Sequence, residues 1–169
     1  MKTYTNLYPY LCSMGNLTLA WRKAREEKSN KEDVIEFERD TVRNLLQLHE
    51  ELKNKAYHPR PLITFVLRDP KTRVISKSDF RDRVVHHALI LVIKPFLEKQ
   101  FIYDSCANQV SKGTLFAVNR FHHFLRKVSD PVHESGFCLK ADIKHYFPEV
   151  DHEILLNILK RRIHDPAVM

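Results

Sequence analysis

An acid that closes an apolar run is the first residue whose type and place suit chemistry. The stretch Phe137-Cys138-Leu139-Lys140-Ala141-Asp142 is short, apolar and ends in a carboxylate. A strand that delivers an aspartate to a loop or cleft sets hard oxygens beside a sheet edge. Mg²⁺ takes such oxygen ligands and keeps waters for substrate phosphates. The plainer alternative is a buried-strand aspartate that caps the turn after it. Lys71 and Arg73 stand on either side of Thr72 in a turn-rich stretch. A guanidinium matches phosphate oxygens as a fork, and an ammonium adds point charge beside it. Exposed turn cations of no consequence are the plain alternative there.

Other metal and redox chemistry finds little support. The chain has 10 histidines, and its adjacent pairs His86–His87 and His122–His123 lack the i, i+4 spacing of a helical metal site. Cys12, Cys106 and Cys138 are odd in number, widely spaced and free of any CxxC pair, which fits neither a disulfide framework nor a zinc ribbon. A formal net charge of +7 and a pI near 9.4 attract polyanions, nucleic acid first among them, although a merely basic surface has the same charge. Only 3 glycines argue against flexible linkers and disorder. No signal-like apolar run follows Lys2, and nowhere do some 18 apolar residues run together. A cytoplasmic protein with no membrane partner is expected.

The elements that must position these groups are legible from periodicity. Asn16 is expected to cap a helix over Leu17 to about Glu27, with Leu17, Trp21 and Ala24 on one stripe. Ser29 and Glu32 read as a capping box for one longer helix striped by Val34, Phe37, Thr41, Leu45, Leu48 and Leu52. His58-Pro59-Arg60-Pro61 forces an extended chain. Ile63, Phe65 and Leu67 then alternate as in a half-buried strand, Asp69-Pro70 makes a turn, and Arg73–Ser76 returns as the second strand of a hairpin. An apolar helix is expected from Ser78 or Asp79 to about Gln100, with Pro95 disturbing it. Another follows the loop Tyr103–Gly113 and runs to about Lys127, and Asp151 can cap a last one with Ile154, Leu155, Ile158 and Leu159.

Around Asp142 the sequence resembles a family. Lys140-Ala141-Asp142-Ile143-Lys144-His145-Tyr146-Phe147 is similar to motif A of reverse transcriptases, an apolar strand, a metal-binding aspartate and an aromatic five residues on. Phe65–Ile75 looks like the fingers hairpin, and Asp79–Leu89 looks like the helix after it. Lys94–Glu98, Tyr103–Asn108 and Ser111–Thr114 look like the next block, and Trp21–Arg25 has a counterpart near the start. The likeness spans about residues 15 to 165, in order. The phrases DPKTRVIS and DRVVHHAL and the run to KGT resemble diversity-generating retroelement enzymes most, with retron and group II intron enzymes close; the "RPLGIP" type of phrase usual in group II maturases is absent.

The resemblance implies an RNA-directed DNA polymerase that uses two Mg²⁺ ions to add dNTPs to a DNA primer on an RNA template. Asp142 would bridge both ions, with the Ile143 carbonyl on the one that holds the triphosphate. Lys71 and Arg73 would clamp the triphosphate. Phe147 would be the steric gate against a ribose 2′ hydroxyl; the plain alternative is a core aromatic after a strand, with one ring of the Tyr146-Phe147 pair in the core. Lys112 and Gly113 would face template phosphates. Asp82–Arg83 is expected to be a structural ion pair and cap. A retroelement RNA and an accessory RNA-binding protein are implied partners.

The fold class expected is α+β: mostly helical fingers (residues 1–136) plus the start of the palm of a right-hand polymerase (137–169), truncated before the Tyr-x-Asp-Asp hairpin. The chain contains no Asp-Asp pair, so it is expected to be inactive in polymerisation alone, with an open palm edge and uncovered apolar surface. A non-catalytic nucleic-acid-binding relic is the alternative. A two-metal phosphodiesterase is disfavoured, because no second acid stands in a comparable strand-end context.

Overall fold

A computed structural model describes residues 3–129 and 136–169. In order these form α1 (Tyr8–Cys12), α2 (Met14–Arg25), α3 (Glu32–Glu38), α4 (Thr41–Lys53), β1 (Ile63–Leu67), β2 (Arg73–Lys77), α5 (Phe80–Glu98), α6 (Thr114–Val128), α7 (Tyr146–Glu149) and α8 (His152–Lys160). The result is helix-rich with one small two-stranded sheet, an α+β chain. Two compact units emerge, the first running to Lys94 and taking in Leu156–Met169, the second Pro95–Leu155. The divisions fall within α5 and α8.

The first unit has a proper core. Small residues on α2 (Ala20, Ala24) let it approach closely, and Leu17 is fully buried beside them. Val34 and Phe37 of α3, Leu45, Leu48 and Leu52 of α4, and Phe80, Val84, Val85 and Ala88 of α5 complete the cluster. Phe37 and Phe80 meet edge-on at 5.2 Å, a preferred aromatic geometry. Each large aliphatic or aromatic side chain so buried contributes about 1.5–3 kcal/mol.

The helix expected from Glu32 to Leu52 is two helices. Asp40 leaves the helical region, and its carboxylate accepts the Arg43 amide (3.3 Å) to start α4. Asn44 donates to the Phe37 carbonyl oxygen (2.8 Å), which closes the corner. The apolar stripe continues across the break because both helices face one core. At α2 the cap is Ser13 rather than Asn16: its hydroxyl accepts the Asn16 amide, while the Asn16 side chain donates to the Leu11 and Ala88 carbonyl oxygens and ties α2 to α5. α1 and α7, one turn or little more, have no counterpart in the periodicity.

The hairpin forms as expected, with Phe65 opposite Ile75 and Leu67 opposite Arg73. Its strands are not half-buried, however. Ile63, Phe65, Val66, Leu67 and Val74 are all exposed, so the alternation marks a ribbon open on both faces. Lys77 pairs with Asp33 (2.8 Å) at its base.

A clasp closes the first unit. Tyr4 bridges to Ile163, and the Asp165 carboxylate accepts the amides of Leu7 (2.6 Å) and Tyr8 (2.9 Å). Burial pushes the Asp165 carboxyl up, but the amides of Tyr8, Ala167, Leu7 and Val168 outweigh it and hold the group below its ordinary value.

The second unit is different in kind. Among its described residues no hydrophobic side chain is buried, and α6 and α8 turn amphipathic faces outward. Residues 137–142, expected as the first palm strand, are irregular. A strand needs a ladder partner, and the two strands among the described residues pair only with each other. The palm sheet is therefore not formed here. No helix among the described residues is long and apolar enough to cross a membrane.

Candidate functional site

The groups singled out in the sequence fall into both units. Lys71 and Arg73 belong to the first, and Lys112, Gly113, Asp142, Ile143 and Phe147 belong to the second.

Lys71 lies in the turn and Arg73 opens β2. Both are exposed, and neither makes an ion pair among the described residues. That contrasts with the cations behind the hairpin. Lys77 and Arg83 both hold Asp33, Arg60 holds Asp79 (3.0 Å), and Arg81 joins Glu51 and Asp82. Burial pushes Asp33 up, but the hydrogen bond from Lys77 and the charges of Arg83 and Lys77 bring it below its ordinary value. These cations shape the scaffold. The hairpin-tip pair takes no part in that network.

Asp82 is the group the sequence assigned wrongly in part. Its partner is Arg81 (3.2 Å), not Arg83, which turns to Asp33 and lies over the Phe80 ring. Asp82 is 1% exposed and accepts the Tyr57 hydroxyl (2.8 Å) and the Arg60 amide (2.8 Å). Burial, with the carboxylates of Asp82 and Asp79 nearby, pushes the Tyr57 hydroxyl well above its ordinary range. The network anchors the 57–60 segment against the start of α5 and so fixes where the hairpin leaves the core. Its signal was present in Asp79-Phe80-Arg81-Asp82-Arg83, but arginines two apart on a helix point to different sides, and the sequence did not say which of them meets Asp82. A cleft of about 210 Å³ lies beside it, lined by Asp33, Glu36, Arg60, Asp79 and Arg81 among others; none of the candidate site residues lines it.

In the second unit the loop before α6 is held by an ion pair and stacked rings. Arg120 grips Asp104 with two nitrogens, one of them at 3.1 Å from Oδ2, and lies 5.0 Å over the Tyr103 ring and 4.8 Å over Phe124. The hydrogen bond from Arg120 holds the Asp104 carboxyl below its ordinary value, and the same bond raises the guanidinium. Lys112 donates to the Tyr103 carbonyl oxygen (2.6 Å) and sits 4.8 Å over the Tyr103 ring. Gly113 caps α6 in an extended conformation, with open space where a Cβ would stand. Neither Tyr103 nor Arg120 was singled out in the sequence; the i, i+4 phenylalanines around Arg120 (Phe116 and Phe124) were the available hint.

Asp142 lies in exposed irregular chain, followed by the exposed Ile143. His145 adopts a left-handed conformation (φ 51°) and starts α7. Phe147 is 87% exposed and meets Tyr146 edge-on at 5.3 Å. Neither aromatic is core. Oxygen donors such as the Asp142 carboxylate and the Ile143 carbonyl are of the kind magnesium takes. Yet no group of three or more His, Cys, Asp or Glu among the described residues converges as a metal site. One carboxylate and one carbonyl fall short of magnesium's ligand set, so the described residues do not form a complete site for it.

No known family profile matches the chain. Individual proteins do. Protein YkfC of Escherichia coli (strain K12) is 28% identical over 129 residues, covering 72% of this chain and 32% of its own length. Group II intron-encoded protein LtrA of Lactococcus lactis subsp. cremoris is 22% identical over 174 aligned positions, 97% of this chain and 27% of that protein. Nuclear intron maturase 1, mitochondrial, of Arabidopsis thaliana is 26% identical over 102 residues, 59% of this chain and 13% of its own. The chain spans less than one third of the length of these relatives.

Proposed function

We propose that this chain is the fingers and first palm segment of an RNA-directed DNA polymerase, part of a catalytic centre that copies a retroelement or intron RNA. Distant likeness to an intron-encoded protein and an intron maturase supports a reverse-transcriptase-related chain at that coarse level. The observation that carries the finer reading is the hairpin. Lys71 and Arg73 stand on either side of Thr72 at its exposed tip without an ion pair among the described residues, whereas Arg60, Lys77, Arg81 and Arg83 behind it hold acids; two free cations at one tip are what a phosphate clamp requires. Asp142 and Ile143 would contribute oxygens to a magnesium site whose other ligands come from further carboxylates, the triphosphate and water. Phe147, exposed and close behind Asp142 in sequence, is free to meet a sugar. The subfamily of diversity-generating retroelements rests on the sequence phrases alone, whereas two of the named relatives are tied to introns.

Binding of the 169-residue chain to a poly(rA)–oligo(dT) hybrid, titrated with salt, tests this. Affinity falling steeply with salt is expected, as for any protein that neutralises several phosphates. Lys71→Gln with Arg73→Gln should abolish dTTP cross-linking to the complex in the presence of Mg²⁺ while hybrid binding persists. No salt-dependent binding would overturn the function proposed. Primer extension by this chain alone would overturn the narrower expectation that Asp142 needs carboxylates supplied from elsewhere.

A further inference from the structure

The loop that ends in Lys112 and Gly113 is held by side chains that no phosphate need touch. Tyr103 is the hub. Its ring lies under both the Arg120 guanidinium (5.0 Å) and the Lys112 ammonium (4.8 Å), and its carbonyl oxygen accepts from Lys112 (2.6 Å). Arg120 is fixed in turn by the paired bonds to Asp104, the residue next to Tyr103, and by the Phe124 ring. Phe116 meets Tyr103 edge-on at 5.7 Å and lies 5.7 Å from the same ammonium. A planar fork on a carboxylate sets a direction as well as a charge.

An ammonium has three N–H donors, and the Tyr103 carbonyl oxygen takes one. Two remain for a ligand, on a side chain whose ordinary freedom has been removed. Holding a long lysine in one place before a phosphate arrives removes part of the ordering cost of binding. Asp104 is the informative member. It fixes Arg120 over the Tyr103 ring, and it also sets a negative charge near any phosphate that Lys112 would meet, so the positioning and the repulsion have opposite effects on binding.

We propose that Asp104 and Arg120, acting through Tyr103, are positioning residues that hold Lys112 for the phosphate backbone of a single-stranded RNA. The inference rests on the function proposed above, together with the resemblance by which Lys112 and Gly113 would face a template. Arg120 does not itself contact the RNA. Asp104 improves binding despite its charge.

Fluorescence anisotropy of the whole chain with a labelled oligo(rA), titrated with salt, tests it. Lys112→Gln should weaken binding and flatten the log–log salt slope by about 0.7, the value for one phosphate contact on a single strand. Asp104→Asn should weaken binding about five- to tenfold with the slope unchanged, the worth of about one ordinary hydrogen bond, because its effect reaches the RNA only through Lys112. Arg120→Lys, which keeps the charge but not the fork, should do the same. Circular dichroism checks that helix content persists; should one of the two variants unfold, the other still decides. Tighter binding by Asp104→Asn, unchanged binding by Arg120→Lys, or an Arg120→Gln slope reduced like that of Lys112→Gln would overturn the positioning role while leaving the RNA-binding function intact. Absence of salt-dependent binding by the unaltered chain would remove both.

Discussion

The two units of this chain have similar shares of apolar sequence and opposite uses for it. In the first, α2, α3, α4 and α5 all turn their stripes to one cluster around Leu17, Leu48, Phe80 and Val84. In the second, Leu115, Phe121 and Phe124 on α6, Phe137 and Leu139 before Asp142, and Ile154 and Leu155 on α8 are exposed. An apolar face on an amphipathic helix is made to be covered. The contrast teaches that the first unit has a core of its own, from which the hairpin with Lys71 and Arg73 projects, whereas the second is ordered by polar and cation–aromatic contacts around Lys112 and holds Asp142 in exposed chain. Low local stability is common in elements that bind and move.

The largest expected effect sharpens that contrast. Phe80→Ala should cost about 3–5 kcal/mol in urea unfolding, because it empties a site packed on all sides. Phe121→Ala, on the exposed face of α6, should stay within about 0.5 kcal/mol. Equal losses would mean that the second unit has a core of its own.

Next comes the buried network. Asp82→Ala leaves Arg81 with Glu51 alone, and leaves the Tyr57 hydroxyl and the Arg60 amide without their acceptor. Each polar group so orphaned costs about 1–3 kcal/mol, and the loss should appear in the first unit's melting transition. A cost below about 1 kcal/mol would show Asp82 to be dispensable to the scaffold, since that is the range of exposed pairs.

The smallest effect is on acid stability. Asp33 and Asp165 both have carboxyl values lowered on folding, so each binds protons more weakly folded than unfolded. Their stabilisation is complete above the unfolded carboxylate value of about 4 and is lost as pH falls through the lower folded values. Urea midpoints should drop on going below pH 4, and Asp33→Asn with Asp165→Asn should flatten that drop. An unaltered profile in the double variant would assign acid sensitivity to other groups.

Much of the first unit was legible because burial repeats with helical period. The stripe Val34, Phe37, Leu45, Leu48, Leu52 was read correctly as a face, and Asp151 caps α8 as its position promised. The break at Asp40 was missed because the stripe runs through it; a cap in mid-helix competes silently with continuation. The hairpin's two strands followed from alternation and turn chemistry, but its exposure did not, since alternation shows that two faces differ and not that either is covered. In the second unit the sequence picked out Lys112 and Asp142, quoted Tyr103 and Asp104 only as part of a motif block, and missed Arg120 and the contacts that join them. Contacts between a loop and a helix leave no period to read. The strand expected at 137–142 failed for a related reason: an apolar run records a preference for a partner, and a sheet forms only where one is present.

Hydrogen exchange of the whole chain, with and without a poly(rA)–oligo(dT) hybrid, tests most directly whether this scaffold presents its hairpin and loop to nucleic acid. Without the hybrid, amides of α2, α4 and the first part of α5 (80–94) should be well protected and those of residues 99–129 and 136–155 weakly so. With it, protection should rise at residues 63–77 and 103–120. Protection that rises only over α3 and α4, or nowhere, would contradict the account.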